Sequence, residues 1–267
     1  MPMSIGRDGP SEADALSALH AAFDAGTDLV DTADVYCHDD SDIGHNERLI
    51  AKAVKSWPGG GKVVVATKGG LTRPEGRWER DARPEVLRAA CERSLKALGV
   101  SAIALYQLHA PDEKVRFADS VGELKRLKDE GKIRHVGLSN VGLEQLDEAL
   151  AIVRIESVQN QLHPKDRGDL DDGLVKACAA RGVAYLPYCP VGGGYGHISL
   201  SKHPTLMALA VKHGISPYCV VLAWHLAQGE NVIPIPGASR VESAVDSPKA
   251  LSVRLEPSDL AVIDALA

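Results

Sequence analysis

The sequence predicts an α/β fold in which parallel strands form a barrel. Short runs rich in Val, Ile and Leu alternate with amphipathic helical segments that end at glycines, as in parallel strands joined by helical crossovers. Polar side chains able to do chemistry follow strand after strand: Asp31, Lys68, His109, Asn140 and Gln161. The alternation alone also fits an open sheet, but an open sheet would collect such residues at one switch point. A barrel spreads them over a ring of loops, so the barrel is favoured.

Local signals place the elements of this fold in order. The first helix is expected to begin at Ser11, which with Asp14 forms a capping pattern, and to end before Gly26. Pro84 and Gly99 bracket a later helix in the same way. Seven strands are expected, and the triple-valine run in the second should be buried on both faces. Their ranges are 28–33, 62–68, 103–108, 135–139, 157–161, 183–188 and 232–236.

Length, charge and cysteine content indicate the number of domains, exclude some classes of binding partner and indicate the cellular compartment. The 267 residues suit one α/β barrel, so we expect a single domain over residues 1–267. The net charge of -6, without a basic stripe, argues against nucleic acid and against an anionic membrane surface. We find no signal peptide and no apolar run near the roughly 20 residues of a membrane span. Five cysteines without CxxC spacing indicate free thiols and no metal site. We therefore expect a cytoplasmic monomer or weak homo-oligomer.

Four polar residues on three successive strand ends could together donate a proton. Strand spacing places these ends within roughly 10 Å of one another. A buried Lys68 ammonium beside Tyr36 should lower the pKa of the phenol and make it an efficient acid. Asp31 can supply the counter-charge, and a neutral His109 can orient a carbonyl oxygen. Each residue alone has an ordinary structural interpretation, so the prediction depends on their conjunction.

Several segments resemble the sequence motifs of a known family, and they occur in the same order along the chain. They are 31–36 (DTADVY), 66–70 (ATKGG), 105–109 (LYQLH), 131–140 (GKIRHVGLSN), 158–161 (VQNQ), 188–190 (YCP) and 233–239 (IPIPGAS). Together they resemble the aldo-keto reductase superfamily over nearly the whole chain. The loop 69–83 resembles, less specifically, the branch that includes bacterial pyridoxal reductases. The resemblance implies a (β/α)8 barrel that reduces aldehydes or ketones with NADPH.

The same resemblance implies roles for individual residues. Tyr36 would be the general acid, Lys68 and Asp31 its tuning pair, and His109 the residue that orients the substrate. The implied cofactor-binding residues are Ser139, Asn140 and Gln161 at the carboxamide, Tyr188 on the nicotinamide ring, Cys189, Val191 and Gly192 in the following loop, and Gly237, Ser239 and Arg240 near the phosphates.

The phosphate end can also be argued from the residues. Ser239 and Glu242 have the spacing of a capping box, which predicts a helix start with free N–H groups for a phosphate. Arg240 in the first turn could bind the 2′-phosphate and so favour NADPH over NADH. A solvated Arg240 is the alternative. Many relatives carry Lys or Arg where this chain has Gly237 and Ser243.

The chain departs from the family pattern at both ends. Relatives usually have a β-hairpin and a first barrel strand before the first helix, so one of eight strands is expected to be missing. A missing upstream segment is the favoured explanation, and a destabilised seven-strand barrel is the alternative. The long C-terminal loop that shapes the substrate pocket in many relatives is absent. We therefore expect an open pocket and broad carbonyl selectivity, with pyridoxal as one candidate.

Two other functions fit parts of the same pattern. A non-catalytic NADP(H)-binding regulatory subunit on this fold would bind cofactor without turnover, but the intact Asp31, Tyr36, Lys68 and His109 argue against it. A barrel lyase or isomerase would need carboxylate metal ligands or a Schiff-base lysine, for which Lys68 is the only candidate.

Overall fold

The computed structural model describes residues 3–5 and 9–266, and a parallel sheet with helices packed against it forms its centre. The strands are β1 Leu29–Asp31, β2 Val64–Gly69, β3 Leu71–Thr72, β4 Glu79–Arg80, β5 Ile103–Leu108, β6 Ile133–Ser139, β7 Ile155–Gln159 and β8 Ala184–Tyr185. The helices are α1 Glu12–Asp24, α2 His45–Ser56, α3 Pro84–Leu98, α4 Phe117–Asp129, α5 Leu143–Leu150, α6 Gly168–Asp171, α7 Leu174–Ala180, α8 Gly193–Ser201, α9 Pro204–His213, α10 Pro217–Leu226, α11 Val241–Asp246 and α12 Pro257–Asp264. Short 3-10 helices occur at Asp40–Asp42, Gly60–Lys62, Pro74–Gly76 and Ser247–Ser252.

The sheet follows the chain from one strand to the next. Its order is β1-β2-β5-β6-β7-β8, with every neighbouring pair parallel, as the alternation of strands and helices predicted. The remaining two strands, β3 and β4, form a separate antiparallel hairpin in the loop after β2. The carboxyl ends of these six parallel strands therefore lie at the same end of the sheet.

The predicted helix signals operate in the structure. The Ser11 hydroxyl accepts a hydrogen bond from the Asp14 N–H at 3.2 Å and caps α1. Pro84 is the first residue of α3, where its missing N–H costs no helical hydrogen bond. Gly99 ends that helix with a φ of +68°, a left-handed conformation that glycine adopts without strain.

The seventh predicted strand, which begins at Val232, forms a single bridge instead of a strand. Val232 bridges Tyr185, and the Ile233 N–H donates to the Tyr185 carbonyl at 2.8 Å. Pro234 and Pro236 have no N–H group, so a regular ladder cannot continue along this segment. At the other edge β1 pairs with β2 alone among the described residues. The prediction about the start of the chain falls partly on residues 1–2, outside the described residues.

The main apolar core lies between the sheet and the outer helices and includes Leu87, Leu108, Leu124 and Val158. The expectation that the triple-valine run is buried on both faces is wrong, because Val64 is 44% exposed. Its position explains this exposure: Val64 begins β2 at the amino end of the sheet, where a cavity of about 270 Å³ opens.

No single helix within 3–5 and 9–266 is both long and apolar enough to cross a membrane. Helices α9 and α10 meet these criteria only as a pair, with a bend of 85° between them.

Candidate active site

The carboxyl ends of β1 and β2 bring a buried lysine against a carboxylate and a phenol. The side chain of Lys68 is fully buried, and its Nζ forms an ion pair with Asp31. The same nitrogen donates hydrogen bonds to the Thr32 carbonyl at 2.9 Å and to the Tyr36 hydroxyl at 3.3 Å. The parallel register that pairs Asp31 with Ala66 sets the two strand ends side by side. Three of the four residues that the sequence assigned to catalysis are thus in direct contact.

The fourth residue, His109, follows β5 and lies beside the phenol. Its ring centroid is 5.7 Å from that of Tyr36, and the two rings are nearly perpendicular. Burial and the nearby Lys68 charge hold the pKa of His109 well below its usual value, so the imidazole is neutral. Its Nδ1 is buried and has no hydrogen-bond partner within the described chain. A buried polar atom without a partner is costly, so this position suits a polar ligand group.

The charges of the cluster differ from the sequence prediction in one respect. Burial works against a charged Lys68, but Asp31 and Tyr36 outweigh it and raise the lysine pKa, so Lys68 is an ammonium. The net lowering that we expected for the Tyr36 pKa is wrong. Burial raises the pKa of the phenol, and the Lys68 charge offsets only part of that effect. Tyr36 is therefore protonated at neutral pH, and the charged lysine is not the nucleophile that a Schiff base requires.

Two glutamines that sequence reasoning missed hold Asp31 in place. Gln107 in β5 and Gln159 at the end of β7 donate to one Asp31 oxygen at 3.1 and 2.8 Å. Both are buried polar residues within strands of the sheet, and a polar side chain at a buried strand position is the signal that could have identified them. Gln161, which the sequence placed at the site, is exposed instead and donates to Asp166 at 2.9 Å. It lies beyond the end of β7 and forms a single parallel β-bridge with Tyr188, another of the predicted cofactor residues.

Three of the predicted cofactor residues form a hydrogen-bonded row next to His109. The Asn140 side-chain amide donates to the His109 carbonyl at 2.8 Å and to the Ser139 hydroxyl at 3.1 Å. The Tyr188 hydroxyl donates to the Asn140 amide oxygen at 2.9 Å. Asn140 has a φ of +59°, an uncommon backbone conformation that Asn tolerates better than most residues. The row spans the ends of β5 and β6 and the segment after β8.

The loop after Tyr188 extends the polar rim that the hydrogen-bonded row of Ser139, Asn140 and Tyr188 forms. Cys189 is exposed, has a φ of +49° and lies close enough to Tyr36 to affect the pKa of the phenol. Val191 is partly buried, and Gly192 follows with a φ of +90° before α8 begins. A Cβ at Gly192 would lie 2.9 Å from the backbone carbon of Gly196, so the turn requires glycine.

The start of α11 differs from the predicted capping box. The N-cap residue is Arg240, whose backbone is extended, and no side chain caps the helix. The predicted box between Ser239 and Glu242 is therefore wrong, because Ser239 lies one residue too early to reach the first helical N–H groups. Gly237, Ser239 and Arg240 are all exposed. The Arg240 side chain makes no hydrogen bond or ion pair with other described residues.

A model of the Aldo/keto reductase family matches residues 2–267, which is nearly the whole sequence. The chain belongs to the aldo/keto reductase family. Among its relatives, the probable aldo-keto reductase 1 of Glycine max is 36% identical over 276 aligned residues. The alignment covers 93% of this chain and 78% of the relative.

Solved structures of similar proteins have the same fold. The glycerol dehydrogenase of Gluconobacter oxydans superposes with a TM-score of 0.84 at 27% identity, covering 99% of this chain and 88% of that one. An aldo-keto reductase from Klebsiella pneumoniae, solved in complex with NADPH, gives a TM-score of 0.81 at 25% identity and covers 96% and 85%. These matches confirm the predicted fold class. Aldo/keto reductases are NADPH-dependent oxidoreductases, so the family confirms the predicted cofactor and shows that this chain is an NADP-dependent oxidoreductase.

A pair of buried acidic residues, one of them in the Tyr36 loop, lies near the active-site cluster of this aldo/keto reductase. Asp34 and Glu47 are fully buried, and each carboxyl has one oxygen without a hydrogen-bond partner among the described residues. The Thr67 hydroxyl donates to Glu47 at 2.6 Å, and Arg93 reaches Asp34 from the surface at 3.4 Å. Burial and the neighbouring Glu47 raise the pKa of Asp34 to about 7.

We expect Asp34→Asn to remove a pH-dependent loss of stability. Folded Asp34 keeps its proton up to about pH 7, whereas the unfolded chain releases it near pH 4, so wild-type stability falls as pH rises between these values. The variant's advantage in free energy of unfolding should therefore grow by up to about 1.4 kcal/mol per pH unit within this window. Urea titrations across the window measure it, with the exposed Asp129→Asn as control. Parallel curves for wild type and Asp34→Asn would contradict the assignment.

Proposed function

We propose that this chain, as a single domain over residues 1–267, reduces aldehydes or ketones to alcohols with NADPH. One observation carries the proposal: the Nζ of a buried, Asp31-paired Lys68 lies 3.3 Å from the Tyr36 hydroxyl at the carboxyl end of the sheet. A buried ion pair is a costly arrangement for stability alone. Its placement against a phenol is understood most simply as preparation for proton transfer.

In this mechanism Tyr36 is the general acid. NADPH, when bound, supplies the hydride that the carbonyl carbon accepts. As the carbonyl double bond opens, its oxygen takes the phenolic proton of Tyr36, and the products are the alcohol, NADP⁺ and a phenolate. The Lys68 ammonium stabilises that phenolate, and solvent later returns the proton. Asp31 keeps Lys68 charged, and the neutral ring of His109 donates a hydrogen bond that orients the carbonyl oxygen.

The polar rim beside this cluster fits NADPH. Ser139 and Asn140 would hold the carboxamide with hydroxyl and amide groups, and Tyr188 would lie against the nicotinamide ring. Cys189, Val191 and Gly192 would border the pyrophosphate, and Gly237, Ser239 and Arg240 the 2′-phosphate. Gln161, which forms a β-bridge with Tyr188, would add its exposed side-chain amide to the groups at the carboxamide.

The direct test is an NADPH-oxidation screen over aldehydes, quinones and pyridoxal. We expect turnover with at least one of these classes and one molecule of alcohol or reduced quinone for each NADPH consumed. Binding of NADPH without turnover on the whole panel would contradict the reductase and favour a regulatory NADP(H)-binding subunit.

The cofactor assignment predicts that Arg240→Ala weakens NADPH much more than NADH. A hydrogen bond to a charged group contributes about 1.5–3 kcal/mol, so the Kd for NADPH should rise by roughly 10- to 100-fold. The Kd for NADH should change little, because NADH lacks the 2′-phosphate. Arg254→Ala, another exposed arginine, is the matched control. Equal losses of affinity for both cofactors would reject the role of Arg240.

A further inference from the structure

The hairpin of β3 and β4 carries Arg73 and Trp78 in its connecting loop, and the proposed mechanism uses neither side chain. Leu71 and Thr72 pair with Arg80 and Glu79, and the hairpin follows Lys68 directly along the chain. It follows the carboxyl end of β2 and therefore begins at the same end of the sheet as the Tyr36 cluster.

Arg73 ties this hairpin to the loop that holds Tyr36. Only 4% of Arg73 is exposed, and its guanidinium donates to the carbonyls of Cys37 and His38 at 3.3 and 3.0 Å. The guanidinium carbon also lies 4.1 Å from the ring centroid of Trp78, a stacking contact. One buried arginine thus fixes the indole relative to the Tyr36 loop.

Trp78, Tyr36 and His109 form a cluster of three neighbouring rings. The Trp78 ring centroid is 6.3 Å from that of Tyr36 and 6.4 Å from that of His109, with interplanar angles of 79° and 70°. Despite these contacts 47% of the residue is exposed. A large aromatic side chain that is held firmly but left half exposed has surface available for another molecule.

We propose that Trp78 is a specificity-determining residue that favours carbonyl compounds with a planar aromatic ring next to the carbonyl. The proposal rests on the proposed function for the position of the reacting carbonyl, between Tyr36 and His109. A substrate ring attached to that carbonyl would extend over the exposed surface of the indole, where stacking contributes about 0.5–1.5 kcal/mol beyond simple burial. The selectivity would therefore be narrower than the broad carbonyl selectivity expected from the sequence.

Benzaldehyde and cyclohexanecarboxaldehyde test this proposal, because they differ in ring planarity at equal ring size. We expect Trp78→Leu to reduce the benzaldehyde-to-cyclohexanecarboxaldehyde ratio of kcat/KM by roughly 2- to 12-fold relative to wild type. The change should appear mainly in KM, because stacking stabilises the ground state and the transition state alike. Trp78→Phe should keep most of the preference. The intrinsic difference between the aldehydes cancels when variants are compared.

Arg77→Ala is the matched control, because Arg77 lies on the same hairpin but, among the described residues, pairs only with the exposed Glu75 and Glu79. Its substrate ratio should equal that of wild type. An unchanged ratio in Trp78→Leu, or a loss in Trp78→Phe as large as in Trp78→Leu, would overturn the proposal.

A binding measurement separates this proposal from the proposed function. Benzamide and cyclohexanecarboxamide carry the same rings on a carbonyl that is not reducible under these conditions. Titrated into the NADP⁺-saturated protein, benzamide should bind more tightly to wild type, and Trp78→Leu should abolish the difference. Equal affinities in wild type would overturn the proposal even if aldehydes are reduced. A preference lost in Trp78→Leu would support it even if no aldehyde is turned over.

Discussion

Tyr36→Phe is expected to lower kcat for carbonyl reduction by about 100- to 10,000-fold, the range that general acid catalysis contributes. The variant lacks only the proton that the carbonyl oxygen must receive. Lys68 keeps its ion pair with Asp31 and its bond to the Thr32 carbonyl, so the site should otherwise persist. The Kd for NADPH should stay within about twofold of wild type.

The pH dependence follows from the direction of the Tyr36 pKa. Burial raises it, so the phenol carries its proton across the neutral range and reduction should not lose its acid there. In wild type, kcat should fall only at alkaline pH, as the phenol ionises. The residual rate of the variant should lack this alkaline decrease.

A tyrosine elsewhere gives the matched control. The Tyr218 hydroxyl, in α10, makes no hydrogen bond with the described residues, so Tyr218→Phe should keep wild-type kcat. Steady-state kinetics with the best aldehyde and fluorescence titration of NADPH measure the two quantities. Equal kcat values for Tyr36→Phe and wild type would reject the proton-donor role.

The sequence was sufficient for the fold because its signals are local. Ser11, Pro84 and Gly99 set helix ends through backbone groups within one turn, and each operates as predicted. The sequence predicted a full strand where the structure has a single bridge at Val232. Ile233 and Ile235 favour a strand, but the prolines that follow each of them lack the N–H groups that a ladder requires. The exposure of Val64 depends on what covers the amino end of the sheet, and no local pattern contains that information.

The site was predictable where residues end strands and unpredictable where they act across the sheet. The contact among Asp31, Lys68 and Tyr36 follows from adjacent parallel strands. Gln159 reaches Asp31 from a strand more than a hundred residues away, so only the three-dimensional arrangement distinguishes it from Gln161. The predicted direction of the Tyr36 pKa shift was wrong for a related reason. Burial raises this pKa and the Lys68 charge lowers it, and the sequence does not show which effect is larger.

Lys68→Met is expected both to abolish turnover and to destabilise the fold. Removing the ammonium deprives the buried Asp31 carboxylate of its ion pair with Lys68, whereas the hydrogen bonds from Gln107 and Gln159 to it remain. Breaking a buried ion pair in this way costs about 3–5 kcal/mol. Lys125→Met, which breaks an exposed pair with Asp129, should cost less than about 1 kcal/mol. Urea denaturation and steady-state kinetics measure both effects.

The double variant Lys68→Met/Asp31→Asn separates the two effects. It removes both charges together, so most of the lost free energy of unfolding should return, whereas turnover should remain absent because nothing stabilises the phenolate of Tyr36. A double variant as unstable as Lys68→Met would show that packing of the lysine stem, and not charge pairing, controls stability here. Recovery of turnover in the double variant would mean that the ion pair is not needed for proton transfer, and the mechanism built on it would fail.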